Sequence, residues 1–84
     1  MDEHFVIWVK THCPFCIQAK DEVFDQKVNH TVYIMDNKLE ELNNLKEKWN
    51  HPTVPIITFQ KDGEEKLIGG YTDLKEWFDG AKND

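Results

Sequence analysis

The sequence is short of two things: long hydrophobic runs and cysteines. Its 84 residues include only two cysteines, Cys13 and Cys16. The longest apolar run, Phe5–Val9, is far shorter than the roughly 20 residues that a membrane-spanning helix needs. Residues 1–4 are acidic and do not resemble the start of a signal peptide. We therefore expect a cytoplasmic protein with no membrane partner, a setting in which stable structural disulfides are rare.

Positive charge is also scarce. Ten lysine and arginine residues stand against 16 aspartate and glutamate residues, so the formal net charge is −6. This balance argues against nucleic acid or an anionic membrane as the general partner. The chain also has no linker, internal repeat or low-complexity stretch. Because 39% of the residues are hydrophobic, we expect one small core and a single domain over residues 1–84.

Hydrophobic periodicity and turn residues predict the element order β-α-β-α-β-β-α, which belongs to the α/β class. The Asp62-Gly63 pair is typical of a hairpin turn between the last two strands. Asp36-Asn37 is expected to start the second helix, and Thr72 or Asp73 to cap the third. The predicted strands are 4–9, 30–35, 56–59 and 66–68, and the predicted helices run from 14 to about 27, from 38 to 49, and onward from the 72–73 cap.

Each predicted helix has apolar residues at helical spacing, which indicates one buried face per helix. The three tryptophans fit this core pattern better than they fit a functional site. The predicted apolar faces are Cys16, Ala19, Val23 and Phe24; Leu39, Leu42, Leu45 and Trp49; and Leu74, Trp77, Phe78 and Ala81.

The segment Cys13-Pro14-Phe15-Cys16 follows the first strand directly and opens the first helix. A C-x-x-C at this point of a βαβ pattern indicates a thioredoxin-like redox site. Cys13 precedes the first turn, where unpaired N–H groups, the helix dipole and nearby Lys10 favour a thiolate. Cys16 lies inside the turn and is expected to be more buried. These positions predict that Cys13 is the nucleophile and Cys16 the resolving thiol.

Two other interpretations of the cysteines remain open. A zinc site would need two further ligands from the four histidines, but none of them forms the H-x₃₋₅-H pair that accompanies a C-x₂-C half-site. Two inert core cysteines are the second alternative, because cysteine is often buried. The histidines are His4, His12, His30 and His51.

Four segments together resemble the dithiol glutaredoxins of the thioredoxin superfamily, and most closely the small bacterial and phage members. They are Lys10, Cys13-Pro14-Phe15-Cys16, Thr53-Val54-Pro55 and Gly69-Gly70-Tyr71-Thr72-Asp73-Leu74. The resemblance covers essentially the whole chain. It implies a thioredoxin fold, with a four-stranded mixed sheet flanked by three helices.

The resemblance also implies a glutathione site. Thr53-Val54-Pro55 would carry a cis-proline facing the active cysteine, and the backbone of Val54 would pair with the cysteinyl part of glutathione. Lys10 would bind the glycine carboxylate, and an ordinary surface lysine is the alternative. The N–H groups around Thr72 and Asp73 would take the γ-glutamyl carboxylate, and Asp73 the ammonium. The side chains that would flank the sulfurs are Phe15 and Tyr71.

The implied function is glutathione-dependent thiol–disulfide exchange by a monomer, with glutathione as reductant and no metal. Disulfide-containing or glutathionylated proteins would be the substrates, and ribonucleotide reductase is the leading candidate. The alternatives are a thioredoxin-like protein reduced by a flavoenzyme and a glutathione-ligated iron–sulfur carrier. Two positions depart from the family pattern: Phe15 replaces the commoner tyrosine, and Ile56 replaces glutamine after the proline.

Overall fold

The computed structural model describes residues 3–82 and contains four strands and three helices in the predicted order. Two elements are longer than predicted, because the third and fourth strands extend through the hairpin to its turn. Asp62 and Gly63 both have positive φ there, at 54° and 84°, as a type I′ turn requires. The elements are β1 (His4–Val9), α1 (Pro14–Asp25), β2 (His30–Ile34), α2 (Leu39–Trp49), β3 (Ile56–Lys61), β4 (Glu64–Gly69) and α3 (Tyr71–Lys82).

The strands form one mixed sheet in the order β2-β1-β3-β4. The β1–β2 pair is parallel, and the β1–β3 and β3–β4 pairs are antiparallel. Successive side chains of a strand point to opposite faces, so β1 contributes to two layers. Phe5, Ile7 and Val9 face α1 and α3, whereas Trp8 packs with the smaller cluster beneath α2.

The larger core cluster lies between the sheet and the pair α1 and α3. The smaller cluster joins α2 to the other face through Met35, Leu42 and Ile56. The sheet is therefore covered on both faces, and β1 lies in its interior between β2 and β3. The buried residues of the larger cluster are Phe5, Ile7, Val9, Cys16, Ala19, Val23, Ile57, Leu74 and Phe78.

Three predictions of buried side chains were wrong or incomplete. Phe24 is 74% exposed, because α1 buries only a narrow stripe through Cys16, Ala19 and Val23. Leu39 is 52% exposed, since it is the first residue of α2 and lies before Leu42, the buried residue of that helix. Trp77 lies at the rim of the core against Phe59, and the side chain of Ala81 lies outside the described residues.

The predicted helix starts also need correction. The N-cap of α2 is Lys38, whose side chain makes no capping bond, and the predicted start residue Asp36 accepts hydrogen bonds from Thr11 instead. The third helix starts at Tyr71, before the predicted cap residues. Asp73 caps it from within the first turn, by accepting a hydrogen bond from the Gly70 N–H over 2.9 Å.

No helix among residues 3–82 is both long enough and apolar enough to cross a membrane.

Candidate active site

Cys13 occupies the N-cap position of α1, directly after the loop that leaves the carboxyl end of β1. Its backbone is extended, with φ −127° and ψ 108°, and Pro14 fills the first helical position, where a missing N–H costs nothing. The Cys13 Sγ accepts a hydrogen bond from the Cys16 N–H over 3.2 Å. This bond and the positive end of the helix dipole both favour a negative charge on the sulfur.

Cys16 has the opposite environment. Its side chain is fully buried in the larger core cluster, whereas Cys13 is half-buried. Burial, with smaller contributions from the hydrogen bond and the charge interaction with Cys13, raises the pKa of the Cys16 thiol to about 12. The predicted asymmetry of burial between the two sulfurs is therefore present in the structure.

The loop between β1 and α1 is fastened to the end of β2. Asp36 accepts a hydrogen bond from the Thr11 N–H over 2.9 Å and a second, short one from the Thr11 hydroxyl. These bonds, with a smaller contribution from the charges of His12 and Lys10, lower the pKa of Asp36 below its ordinary value of 3.8. Asp36 thus anchors the loop at Thr11, two residues before Cys13, the reactive cysteine.

The segment before β3 lies against the same cysteine. The Val54–Pro55 peptide bond is cis, as the family resemblance implied. The Val54 carbonyl oxygen is 3.9 Å from the Cys13 Sγ, so the thiol and this backbone segment face one another.

A groove beside Cys13 runs from this segment to the start of α3. It brings together seven of the ten predicted site residues, which come from three separate parts of the chain. The rings of Phe15 and Tyr71 stack across it, with centroids 6.4 Å apart and planes inclined by 26°. The residues that line the groove are Phe15, His51, Thr53, Val54, Pro55, Gly70, Tyr71, Thr72 and Asp73.

Comparison with known proteins agrees with this arrangement. The family model described as Glutaredoxin matches residues 5–64, which include both cysteines and the cis-proline. The chain belongs to the glutaredoxin family. No match is found among curated protein sequences.

Solved structures of other glutaredoxins share the fold. A wheat glutaredoxin is 28% identical with a TM-score of 0.78, over 93% of this chain and 71% of that one. The dithiolic glutaredoxin of Trypanosoma brucei brucei is 27% identical with a TM-score of 0.75, over 93% and 79% of the two chains. Reduced Escherichia coli glutaredoxin is 26% identical with a TM-score of 0.69, over 96% and 99%. The predicted thioredoxin fold is confirmed.

Membership of this family and the C-x-x-C pair support thiol–disulfide oxidoreductase chemistry. The structure places the last predicted site residue, Lys10, apart from the groove. Lys10 is exposed and lines a separate depression with His12 and Asp36, on the β2 side of the active-site loop. Its position three residues before Cys13 keeps it near the sulfur, but its side chain is not among those that line the groove.

The groove of this glutaredoxin also contains a residue that sequence reasoning did not assign to it. The sequence offers His51 only as a possible zinc ligand, yet it lines the groove next to Gly70. Its position two residues before Thr53-Val54-Pro55 was the one signal that could have placed it there. Within residues 3–82, no three His, Cys, Asp or Glu side chains come together in a way that could hold a metal ion.

Proposed function

We propose that this glutaredoxin uses glutathione to reduce protein disulfides and glutathione mixed disulfides, with Cys13 as nucleophile and Cys16 as resolving thiol. The observation that carries the proposal is the unequal placement of the two sulfurs beside one groove. Cys13 is half-buried at a helix start and accepts a backbone hydrogen bond, whereas Cys16 is enclosed in the core. Only Cys13 can meet a substrate disulfide without rearrangement of the helix.

The exchange then runs in balanced steps. The Cys13 thiolate attacks one sulfur of the substrate disulfide, forms a mixed disulfide and releases the other sulfur as a thiolate. Cys16 next attacks the Cys13 sulfur, which frees the second substrate thiol and leaves a Cys13–Cys16 disulfide. One glutathione opens that disulfide by bonding to Cys13, and a second glutathione attacks the adduct. The products are reduced protein and glutathione disulfide.

The raised pKa of Cys16 suits the resolving role. Two of the effects that raise it, the hydrogen bond and the charge interaction, come from Cys13 itself. Both disappear once the Cys13 sulfur is bonded to a substrate, because it then carries no charge. Burial, the largest of the effects on its pKa, keeps Cys16 protonated in the resting protein, and the bond between Cys13 and a substrate removes the two smaller effects.

The groove supports the choice of glutathione as reductant. Its wall at Thr53, Val54 and Pro55 presents backbone groups beside the Cys13 sulfur, so the cysteinyl part of glutathione can pair with Val54 as an added strand does. At the other end lies the start of α3, where the first N–H groups have no partner within the helix. Such N–H groups bind carboxylates, and we assign the γ-glutamyl carboxylate to those of Thr72 and Asp73.

The remaining contacts follow from charge and shape. Asp73 is the acidic residue of the groove and would pair with the γ-glutamyl ammonium, in addition to capping α3. Lys10 would act on the glycine carboxylate as a point charge at the end of a flexible stem, reaching it from outside the groove. The stacked rings of Phe15 and Tyr71 would cover the apolar part of the ligand near the sulfurs.

Disulfide-containing or glutathionylated proteins are the proposed substrates, with ribonucleotide reductase as the leading candidate. We propose that the protein acts in the cytoplasm as a monomeric single domain. The net charge of −6 favours substrate surfaces that are neutral or basic around the disulfide.

A glutathione-coupled assay with two cysteine variants tests the proposal. Cys13→Ser should abolish reduction of a small glutathione mixed disulfide, because it removes the attacking sulfur. Cys16→Ser should keep much of that activity but lose the reduction of protein disulfides that needs a second thiol. Unfolding midpoints of both variants serve as the control for folding. An active Cys13→Ser protein, or no glutathione-coupled turnover by the native protein, would show the proposal to be wrong.

A further inference from the structure

The imidazole of His51 has a feature that the proposed chemistry does not use. Its Nε2 atom is buried and has no hydrogen-bond partner among the described residues. Buried polar atoms are nearly always paired, and leaving one unpaired costs about 1–3 kcal/mol. The backbone fixes the position of His51, because Asn50 ends α2 in a left-handed conformation and the His51 N–H then donates a hydrogen bond to the Lys46 carbonyl. These backbone contacts give the imidazole Nε2 no partner.

The unpaired nitrogen lies at the start of α3. A Cβ atom built on Gly70 would be 3.9 Å from the His51 Nε2 and equally far from the Pro55 carbonyl oxygen. Gly70 is the residue before α3, and its own N–H is already taken by Asp73. The nitrogen and the Pro55 carbonyl oxygen therefore both lie close to Gly70, the residue that precedes the start of the helix.

The charges of the groove suggest which ligand group this nitrogen could bind. Among the described residues that line it, Asp73 is acidic, none is a lysine or an arginine, and His51 alone has a side chain that can carry positive charge. A ligand with a carboxylate at this end would meet the N–H groups of α3 and the negative side chain of Asp73. A further donor is needed to offset that repulsion, and an imidazole N–H is a donor of the right kind.

Building on the glutathione-dependent function, we propose that His51 determines specificity for the γ-glutamyl end of glutathione. A rotation of the imidazole opens Nε2 to the ligand, and with its proton there His51 donates a hydrogen bond to the γ-glutamyl α-carboxylate, directly or through one bridging water. A bridging water serves because a mediated hydrogen bond is nearly as favourable as a direct one. Ligand binding thereby satisfies a nitrogen that the protein alone leaves unpaired.

Two unreactive ligands isolate this contact. S-methylglutathione keeps both carboxylates, and the analogue in which 4-aminobutyrate replaces γ-glutamate lacks only the α-carboxylate in question. Their dissociation constants are measured by NMR titration with native protein, His51→Leu and His51→Gln. His30→Leu is the matched control, since His30 lies on β2 and bonds the Val28 carbonyl.

His51→Leu should weaken binding of S-methylglutathione about tenfold, consistent with the loss of one charge-assisted hydrogen bond. Its affinity for the shortened analogue should match that of native protein. His51→Gln, which keeps an N–H donor, should recover part of the loss, and His30→Leu should bind both ligands as native protein does. In native protein, the ¹⁵N shift of His51 Nε2 should move on saturation with S-methylglutathione and stay nearly constant with the analogue.

Equal losses for the two ligands, or no loss, would overturn the role of His51. An Nε2 chemical shift that changes with neither ligand would also overturn it. This measurement uses native protein, so it tests the proposal even if the variants fold poorly. Failure of the broader function looks different, because the native protein would then show no turnover in the glutathione-coupled assay.

Discussion

At the scale of single residues, the chemistry depends on two identical side chains held in different surroundings. Cys13 and Cys16 are three positions apart, about one helical turn, yet Cys13 is half-buried beside Val54 and Cys16 is enclosed in the core. The N-cap position accounts for the difference. The residue before a helix points its side chain back toward free N–H groups, whereas a residue in the first turn of α1 faces the sheet.

Asp36 carries a pH-dependent prediction at this scale. Its pKa is lowered by the two hydrogen bonds from Thr11, so its contribution to stability is present above its ordinary pKa of 3.8 and lost as the pH falls through the lowered value. Native protein should lose unfolding free energy below about pH 4, and Asp36→Asn should lose less over the same range. Urea unfolding from about pH 7 down to about pH 3 measures both curves.

Asp21→Asn is the matched control for that experiment, because Asp21 is an exposed carboxylate on the outer side of α1. Its curve should follow that of native protein. If the stability of Asp36→Asn falls with pH as much as that of native protein, the hydrogen bonds between Thr11 and Asp36 do not stabilise the fold.

Sequence reasoning succeeded with residues whose role depends on neighbours in the chain. The different burial of Cys13 and Cys16 follows from the start of one helix, which residues 5–16 reveal by themselves. His51 was not assigned to the groove, and Asp36 was assigned to the start of α2 instead of to Thr11, since their partners Gly70 and Thr11 lie at a distance in sequence. No local pattern marks such contacts.

At the scale of elements, the turn between β4 and α3 has the tightest steric requirement near the groove. Gly69 has a φ of +125°, and a Cβ atom built on it would lie 2.2 Å from the Asp73 Oδ2. The Asp73 carboxylate occupies the place of a side chain while it caps α3. Glycine is therefore needed both for the backbone conformation and for the approach of the cap.

Gly69→Ala should destabilise the protein more than a glycine replacement elsewhere. Backbone strain costs about 1–3 kcal/mol, and displacement of the Asp73 cap adds about 0.5–2 kcal/mol. Gly63→Ala is the control, because Gly63 also has positive φ but a Cβ there meets nothing within 4 Å. Thermal unfolding compares the two, and equal midpoints would mean that the contact with Asp73 has no energetic effect.

Element types were easier to predict from sequence than element faces. The apolar run of β1 and the Asp62-Gly63 turn are strong local signals, and both appear as predicted. The predicted buried face of α1 included Phe24, which is exposed. Phe24 follows Val23 directly, but a step of about 100° around the helix turns it away from the sheet, as it also turns Ile17 next to Cys16.

At the scale of the whole molecule, the fold is stabilised by packing on both faces of the sheet, and the described side chains include no metal-binding cluster. We predict that a metal chelator leaves the midpoint of thermal unfolding unchanged. Protein purified without oxygen in the presence of glutathione should also be colourless. A lower midpoint with chelator would indicate a structural metal, and a visible absorption band would favour the iron–sulfur carrier over the oxidoreductase.

The order of strands in the sheet differs from their order in the chain, and this affects how the protein is made. β1 is synthesised first but lies in the interior of the sheet, and its antiparallel pairing with β3 joins His4 to Gln60. The ribosome adds roughly 5–20 residues per second, so β1 waits on the order of seconds for this partner. During that interval the core is incomplete and Cys16 is not yet buried. The newborn chain thus passes through a stage in which both thiols are open to oxidants, and Cys16 is shielded only once the sheet is complete.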